Sequence, residues 1–146
     1  MTQEDKKLLL KDLLARLPYG VKCNALLKQI DGSLKSTFGT FKGYNNGYAT
    51  VGQNLVDIET VRPYLRPVSS MNGEEKNEFR RVSNCKVYKD DFYNEYDEYS
   101  ENFTYIDKDT EIDTFDWLNA HHFDHRGLIG KGLATEVTEE NNPYKE

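Results

Sequence analysis

The chain has 146 residues, a length that suits one domain whose folding can bury roughly 68–70% of its unfolded surface. Only 37% of the residues are hydrophobic and only two are cysteines, so neither a membrane-embedded protein nor a disulfide framework is predicted. The net charge of −6 disfavours general nucleic-acid binding, which needs a basic surface to displace counterions from phosphate.

The first predicted element is an N-terminal helix. Thr2 can cap it, with Asp5 at the third helical position. Its leucines recur every three or four residues and form one apolar stripe, made of Leu9, Leu10, Leu13, Leu14 and Leu17. Pro18 and Gly20 end the helix. Charges interrupt the leucines too often for a signal peptide, so we expect a soluble protein of the cytoplasm.

Residues 21 to 62 are predicted to form a small antiparallel sheet. The segment GVKCNALL is one strand, and NLVDIETV supplies another. Between them, Asn46 and Gly47 favour the type I′ turn of a two-residue hairpin, which places Asn45 opposite Tyr48. Partial closure into an SH3-like barrel is one arrangement that such short strands allow.

Two shorter elements follow the sheet. The segment RPYLRP is predicted to be extended, because each proline keeps its preceding residue out of the helical region. Asn72 and Glu75 then form a capping box for a short helix over residues 73–82. Phe79 and Val82 are predicted to lie on the buried side of that helix.

The segment from Lys89 to Asp116 is strongly acidic. It holds eleven acidic residues and two lysines, a net charge of −9, which leaves +3 for the rest of the chain. We expect a polar, partly helical insertion at about residues 88–105. Tyrosines supply rigid contact area, so the candidate binding residues are Tyr93, Tyr96, Asp97, Glu98, Tyr99 and Glu101. A second interpretation is mimicry of a nucleic-acid backbone that inhibits a host nuclease or defence complex, and a third is a solvated insertion.

A C-terminal helical pair is predicted to close the core. The segment TFDWLNAHH forms its first helix, and DHRGLIGKGLATEV forms a final short helix or turn. Residues 139–146 are expected to fray. The whole is therefore predicted to be one α+β domain over residues 1–138, with a frayed tail.

All three histidines lie within five positions. His121 and His125 have the spacing by which two helical imidazoles can bind one zinc ion. A zinc site also needs a third ligand, and the chain has neither an HExxH motif nor a cysteine pair. Helix capping and packing are the favoured roles, assigned to Trp117, His121, His122, Asp124, Arg126 and Gly127. Neither a metal nor a cofactor is expected.

No motif of an enzyme is present. The chain has no nucleophile elbow, and GLIGKGLA lacks both the glycine spacing and the Ser or Thr of a phosphate-binding loop. Carboxylates are abundant, but general acid–base chemistry needs one in an apolar pocket. The sequence therefore favours a non-catalytic protein, and a hydrolase built on the histidines is the alternative.

Three blocks of the chain resemble a known family. KLLLKDLLARLPYGVK, VRPYLRPVSSM with the EEK that follows it, and DWLNAHHFDHRGLIGKGLATEV look like small proteins encoded by phages and integrated mobile elements of gut Bacteroides-type bacteria. Members of that family often carry tyrosine at the position of His125. The resemblance implies a genomic setting in a bacterial host cell and implies no reaction.

Taken together, these features predict a small accessory protein that acts by binding a host or phage protein. Direct contact with nucleic acid or with a membrane is not expected. The patterns leave the target and the oligomeric state open.

Overall fold

The structure is a computed structural model that describes residues 1–83 and 112–145, with the side chains of residues 1–79 and 115–145. The chain divides into two compact units. The first contains residues 1–65 and 126–146, and the second contains residues 66–125. Each unit buries a hydrophobic cluster of its own.

The N-terminal helix, α1, spans Gln3–Ala15, and its prediction is confirmed. The Thr2 hydroxyl accepts a hydrogen bond from the Asp5 amide at 3.0 Å, which satisfies one of the free amides of the first turn. Leu9 and Leu13 are fully buried, whereas Leu14 and Leu17 are 45% and 39% exposed. The buried stripe is therefore narrower than the spacing of the leucines predicts.

Seven strands are present in the described residues, and their pairing is mostly antiparallel. They are β1 (Lys22–Lys28), β2 (Leu34–Asn45), β3 (Tyr48–Val51), β4 (Asn54–Asp57), β5 (Arg62–Pro67), β6 (Phe123–Asp124) and β7 (Thr135–Glu136). In the first unit the strand order is β4-β3-β2-β1-β5, and β7 pairs with β5 in parallel. The α+β class and the antiparallel sheet are confirmed.

The hairpin between β2 and β3 has the predicted turn. Asn46 and Gly47 both have positive φ, at 50° and 86°, as a type I′ turn requires. Asn45 lies opposite Tyr48 as expected. This turn fixes the register of β2 and β3 locally, without help from distant contacts.

Strand β2 takes part in two ladders. Residues 34–40 pair with β1, and residues 41–45 pair with β3, with a register shift between Phe41 and Gly43. Just before the shift, Gly39 lies against Gly52, and a Cβ on Gly39 would be 2.8 Å from the Gly52 Cα. Strand β2 can therefore lie this close to Gly52 only because residue 39 has no side chain.

The core of the first unit lies on the inner face of the sheet. It includes side chains from α1, from the strands and from the segment after residue 126, among them Leu9, Leu13, Phe41, Val51, Ile58, Leu65, Leu128 and Leu133. Residues of β1 and β4 approach within 8 Å between Cα atoms, so the sheet curves around this core.

The second unit is built on two helices, α2 (Gly73–Ser83) and α3 (Ile112–Ala120), with β6 paired in parallel to the end of β5. The predicted capping box of α2 is confirmed, because the Glu75 amide donates to Asn72 Oδ1 and the Asn72 amide donates to Glu75 Oε1. Phe79 is fully buried as predicted. The side chain of Val82 lies outside the described ones.

The predicted C-terminal helical pair is not confirmed. After residue 111, α3 is the one helix of the described residues, and it ends at Ala120. Turns and the short strands β6 and β7 follow. Gly127 and Gly132 have φ of 78° and 73°, a conformation that interrupts a right-handed helix.

Tyr144 lies where β1 and β5 separate. Their register ends at Cys23 opposite Pro63, and Lys22 and Tyr64 come next. The Tyr144 hydroxyl accepts a hydrogen bond from the Lys22 amide at 2.9 Å and donates one to the Tyr64 carbonyl at 2.8 Å. A side chain from the predicted frayed tail thus connects the two strands at this point, and its burial raises the pKa of the Tyr144 phenol.

Replacing Tyr144 with phenylalanine should lower the free energy of unfolding by about 1–3 kcal/mol, because two part-buried backbone groups lose this partner. Urea denaturation followed by circular dichroism measures the loss. Tyr48, half-exposed on β3, provides the control: Tyr48→Phe should change stability by less than about 0.5 kcal/mol. Equal losses from the two variants would show that the hydroxyl of Tyr144 has no special role.

Candidate functional site

The outward side of the sheet in the first unit carries exposed apolar side chains on neighbouring strands. Leu26 on β1 is 40% exposed, and Leu34 and Phe38 on β2 are 60% and 53% exposed. Because side chains alternate along a strand, these three belong to the side away from the buried Cys23 and Ala25. The polar residues Ser36 and Thr40 lie on the same side, opposite Leu26 and Lys22. We name as the outer face the set Lys22, Asn24, Leu26, Lys28, Leu34, Ser36, Phe38, Thr40, Arg62 and Tyr64.

Strand register brings the members of the outer face together. Asn24 lies opposite Phe38 on one side and opposite Arg62 on the other, and Lys28 lies opposite Leu34. The rings of Phe38 and Tyr64 meet edge to face, with centroids 5.7 Å apart and an interplanar angle of 72°. Such a pair fixes the orientation of both rings and leaves part of Phe38 open to a partner.

A groove of about 340 Å³ borders the outer face. It is lined by Asn24, Ala25, Leu26, Glu59, Thr60, Arg62 and Thr135. The Thr60 hydroxyl accepts a hydrogen bond from the Leu26 amide at 3.3 Å, which ties the edge of β1 to the turn before β5. The groove therefore combines an apolar wall with hydroxyl, amide and charged groups, the mixture found in binding clefts.

Positive charge predominates around this face. Lys22, Lys28 and Arg62 belong to it, and Glu59 is the acidic residue of the groove lining. The Lys22 ammonium donates to the Thr40 hydroxyl at 2.6 Å, and one Arg62 nitrogen donates to the carbonyls of Glu59 and Val61 at 2.8 Å each. Three cations and one anion favour a partner with negative charge.

The sequence patterns did not identify the outer face. The register of β1 with β2 depends on the turn over residues 29–33, where Asp31-Gly32 is a hairpin signal that the sequence analysis did not use. Without that register, the side on which Leu26 and Phe38 lie is undetermined, because a shift of one residue exchanges the two faces. The available signal was the alternation of polar and apolar residues along the two strands.

The histidines are held by different partners in the second unit. His121 Nδ1 lies 2.9 Å from the Trp117 carbonyl, and its ring stacks on Trp117 with centroids 4.1 Å apart. His125 Nε2 lies 2.8 Å from Asn119 Oδ1, and its ring stacks on Phe115 at 5.1 Å. Since α3 ends at Ala120, the two imidazoles do not share a helical face, which the zinc geometry required.

The other residues with predicted structural roles are distributed over turns and strands. Trp117 donates from Nε1 to Glu78 at 2.7 Å, His122 has a positive φ of 63°, and Asp124 pairs with Pro67 in β6. Gly127 has the positive φ described above. Within the described residues, no three His, Cys, Asp or Glu side chains are grouped so as to hold a metal ion.

An ion pair joins β5 and α2 in the second unit. Arg66 donates two hydrogen bonds to the Glu75 carboxylate, both 2.7 Å, and its guanidinium lies 4.2 Å from the Phe123 centroid. Burial by itself raises the pKa of Glu75, but the hydrogen bonds from Arg66 and from the Asn72 amide outweigh it and lower that pKa below its usual range. Glu75 is therefore a structural carboxylate rather than a proton donor.

The first unit contains a buried ion cluster that the sequence analysis missed. Asp12 and Arg16 are both fully buried, and Asp12 binds Arg16 at 2.8 Å and Arg126 at 2.9 Å. The signal was the spacing of four between Asp12 and Arg16 on a helix. Burial first, and Asp12 second, raise the pKa of the Cys23 thiol, which disfavours the thiolate at this buried position.

The tyrosines and acids predicted to bind a partner, residues 93 to 101, lie outside the described residues, so that prediction stays a prediction. Among the described helices, none has the length and apolar character to cross a bilayer. No family model, curated protein or solved structure matches the chain.

Proposed function

We propose that this chain is a non-catalytic binding protein that docks a protein partner on its outer face. The observation that carries the proposal is the row of exposed Leu26, Leu34 and Phe38 on adjacent strands, beside the Phe38–Tyr64 ring pair. Exposed apolar groups on neighbouring strands of a small protein are typical of interaction surfaces, because exposing them to water is unfavourable.

The geometry also supports specific contact. Partly exposed aromatic rings that are already held in place lose little entropy on binding and often provide most of the binding energy. Phe38 is such a ring, since Tyr64 packs against its side. Asn24, Lys28 and Arg62 lie beside these apolar groups and form the polar rim that a specific interface needs.

Two observations favour binding over catalysis. The Cys23 thiol is buried, with a raised pKa, which disfavours the thiolate that a nucleophile requires. The ring nitrogens of His121 and His125 contact the Trp117 carbonyl and the Asn119 side chain, so both imidazoles have structural partners.

We further infer that the first unit is a partly closed, SH3-like barrel. Strand β1 pairs with both β2 and β5, and β2 is shared between two ladders. A 3-10 turn over Ile58–Thr60 separates β4 from β5, and β1 approaches β4. Small barrels of this kind present strand faces and loops as binding surfaces.

The resemblance of the three sequence blocks suggests where the partner is found. We propose an accessory role for a phage or mobile element, with a partner from the bacterial host or from the phage itself. The alternative role of the acidic segment as a nucleic-acid mimic predicts a different outcome, since reversing Asp97, Glu98 and Glu101 should then abolish binding.

Replacing Phe38 with alanine should reduce capture of the partner by roughly 30-fold, the effect of losing about 2 kcal/mol at an interface. Proteins captured from host lysate on wild-type and variant chains are quantified by mass spectrometry. Leu55→Ala is the matched control, because Leu55 on β4 is 60% exposed but outside the outer face. A protein captured by wild type and control but lost with Phe38→Ala supports the proposal, and identical capture by all three contradicts it.

A further inference from the structure

The first half of β2 has a strand on one side only. Residues 34–40 pair with β1, and β3 joins β2 on the other side from Phe41 onward. The Gly52 amide donates to the Thr40 carbonyl at 2.9 Å, which covers the edge at that residue. Within the described part of the chain, residues 34–38 therefore have no strand neighbour on the side away from β1.

Alternate residues of this segment direct their backbone groups outward. The Phe41 amide donates to the Val21 carbonyl at 2.9 Å, so the odd-numbered residues of β2 point toward β1. The even-numbered residues point away from β1, as the Thr40 carbonyl does. The free edge is therefore formed by the amides and carbonyls of Leu34, Ser36 and Phe38.

This edge is complementary to itself. When two copies meet edge to edge in antiparallel orientation, with Ser36 opposite Ser36 of the second copy, Leu34 falls opposite Phe38 of that copy. Each such pair exchanges two backbone hydrogen bonds. Leu34 and Phe38 are 60% and 53% exposed and lie on the same side of the sheet, so the pairing also removes apolar surface from water. Gly32, in the turn before β2, falls opposite Thr40, where the edge is already covered.

Charge selects this register. Lys35 is exposed and lies on the other side of the sheet from Leu34. With Ser36 at the centre, Lys35 lies opposite Thr37 of the second copy, whereas a register centred on Lys35 would place two ammonium groups opposite each other. A lysine on a free edge commonly prevents pairing. Here it excludes one register and leaves the self-complementary register open.

We propose that two copies of this chain associate through the free edges of β2, antiparallel and centred on Ser36. The inference goes beyond the proposed function, because it concerns a second copy rather than a different protein. A two-fold pairing uses both edges and so closes at two copies. An edge this short buries less than the roughly 1,200 Å² of a stable interface, so the expected dissociation constant is on the order of 0.1 mM.

Sedimentation equilibrium of the whole chain tests the association, over concentrations from about 10 μM to about 1 mM, on both sides of that dissociation constant. The average mass should rise with concentration from 17.0 kDa toward twice that value. A mass that stays at 17.0 kDa over the whole range would overturn the proposal.

Replacing Ser36 with proline removes the outward amide at the centre of the edge. The ladder with β1 loses no donor, because that amide points away from β1, and circular dichroism should show an unchanged fold. Ser36→Ala is the matched control, since both variants lose the hydrogen bond from the Ser36 hydroxyl to Asn24 Oδ1. Ser36→Pro should weaken association at least tenfold and Ser36→Ala less than threefold. Equal association of the two variants would show that the edge is not the contact.

A charge exchange tests the register without proline. Thr37→Lys places a lysine opposite Lys35 of the second copy and should weaken association about fivefold at low salt. Adding Lys35→Glu to that variant makes the opposed charges attractive and should restore the association. Both variants lose the hydrogen bond from the Asn54 side chain to the Thr37 hydroxyl, so the difference between them reports the charge. Failure of the second change to restore association contradicts the register.

Protection of backbone amides from exchange locates the contact. The amides of Leu34, Ser36 and Phe38 should gain protection as the concentration rises. Those of Lys35 and Thr37 face β1 already and should not change. A dimer that perturbs Phe38 and Tyr64 without this alternation joins the outer faces instead, and the edge assignment is then wrong.

The outcome is separable from that of the proposed function. If the chain stays monomeric while Phe38→Ala still loses the captured partner, edge pairing is wrong and the docking face stands. If the edge pairs as described while Phe38→Ala captures every partner normally, the dimer is correct and the docking role of Phe38 is wrong.

Discussion

Substitution of Asp12 with asparagine is expected to lower the free energy of unfolding by about 3–5 kcal/mol, the usual cost of breaking a buried ion pair. Asp12 is fully buried, and its two carboxylate oxygens bind Arg16 and Arg126 separately. An asparagine side chain keeps the volume but removes the charge that offsets two guanidiniums. Urea denaturation of the variant, followed by circular dichroism, measures the loss.

A control on the same helix separates this effect from a change in α1 itself. Glu4 lies in the first turn and is exposed, so Glu4→Gln should cost less than about 1 kcal/mol through its interaction with the helix dipole. Similar losses from Glu4→Gln and Asp12→Asn would contradict the role of the cluster. The same holds if Asp12→Asn is as stable as wild type.

Gly39→Ala has the second large expected effect, a loss of about 2–3 kcal/mol or more, as overpacking produces in a tight interior. The added Cβ would lie 2.8 Å from both the Cα and the N of Gly52, and neither backbone atom can turn away. Strands β2 and β3 must then separate near Thr40, whose carbonyl accepts a hydrogen bond from the Gly52 amide at 2.9 Å. Thermal unfolding and the protection of the Gly52 amide from exchange report the change.

Gly43 provides the matched comparison. It lies on the same strand, and a Cβ built on it meets nothing within 4 Å. Gly43→Ala should therefore be neutral or stabilise by up to about 1 kcal/mol, because it restricts the unfolded chain. If both alanine variants behave alike, the close approach of Gly39 to Gly52 does not limit stability.

Features that depend on a few neighbouring residues were predictable from the sequence. The Thr2 cap, the Asn46-Gly47 turn and the Asn72–Glu75 capping box each involve groups within four positions of one another, and each is confirmed. Their geometry is set by local backbone sterics and by the free amides of a helix end. Distant contacts are therefore not needed to form them.

Features that depend on distant contacts were not predictable. The outer face needs the register of β1 with β2 and β5, and the Asp12 cluster needs Arg126, which is 114 positions away. The predicted second C-terminal helix was not confirmed. The apolar periodicity of the segment favours a helix, but its glycines make a helix energetically costly. There, Leu128 and Leu133 reach the core from turns instead.

Because β2 pairs with both β1 and β3, the two ladders of the first unit are not independent. A displacement of β1 shifts the half of β2 that pairs with it. Through the bend at Gly39, that shift also reaches the half of β2 that pairs with β3. Strand β1 and the β2–β3 hairpin are therefore coupled through one continuous strand, although β1 and β3 share no ladder.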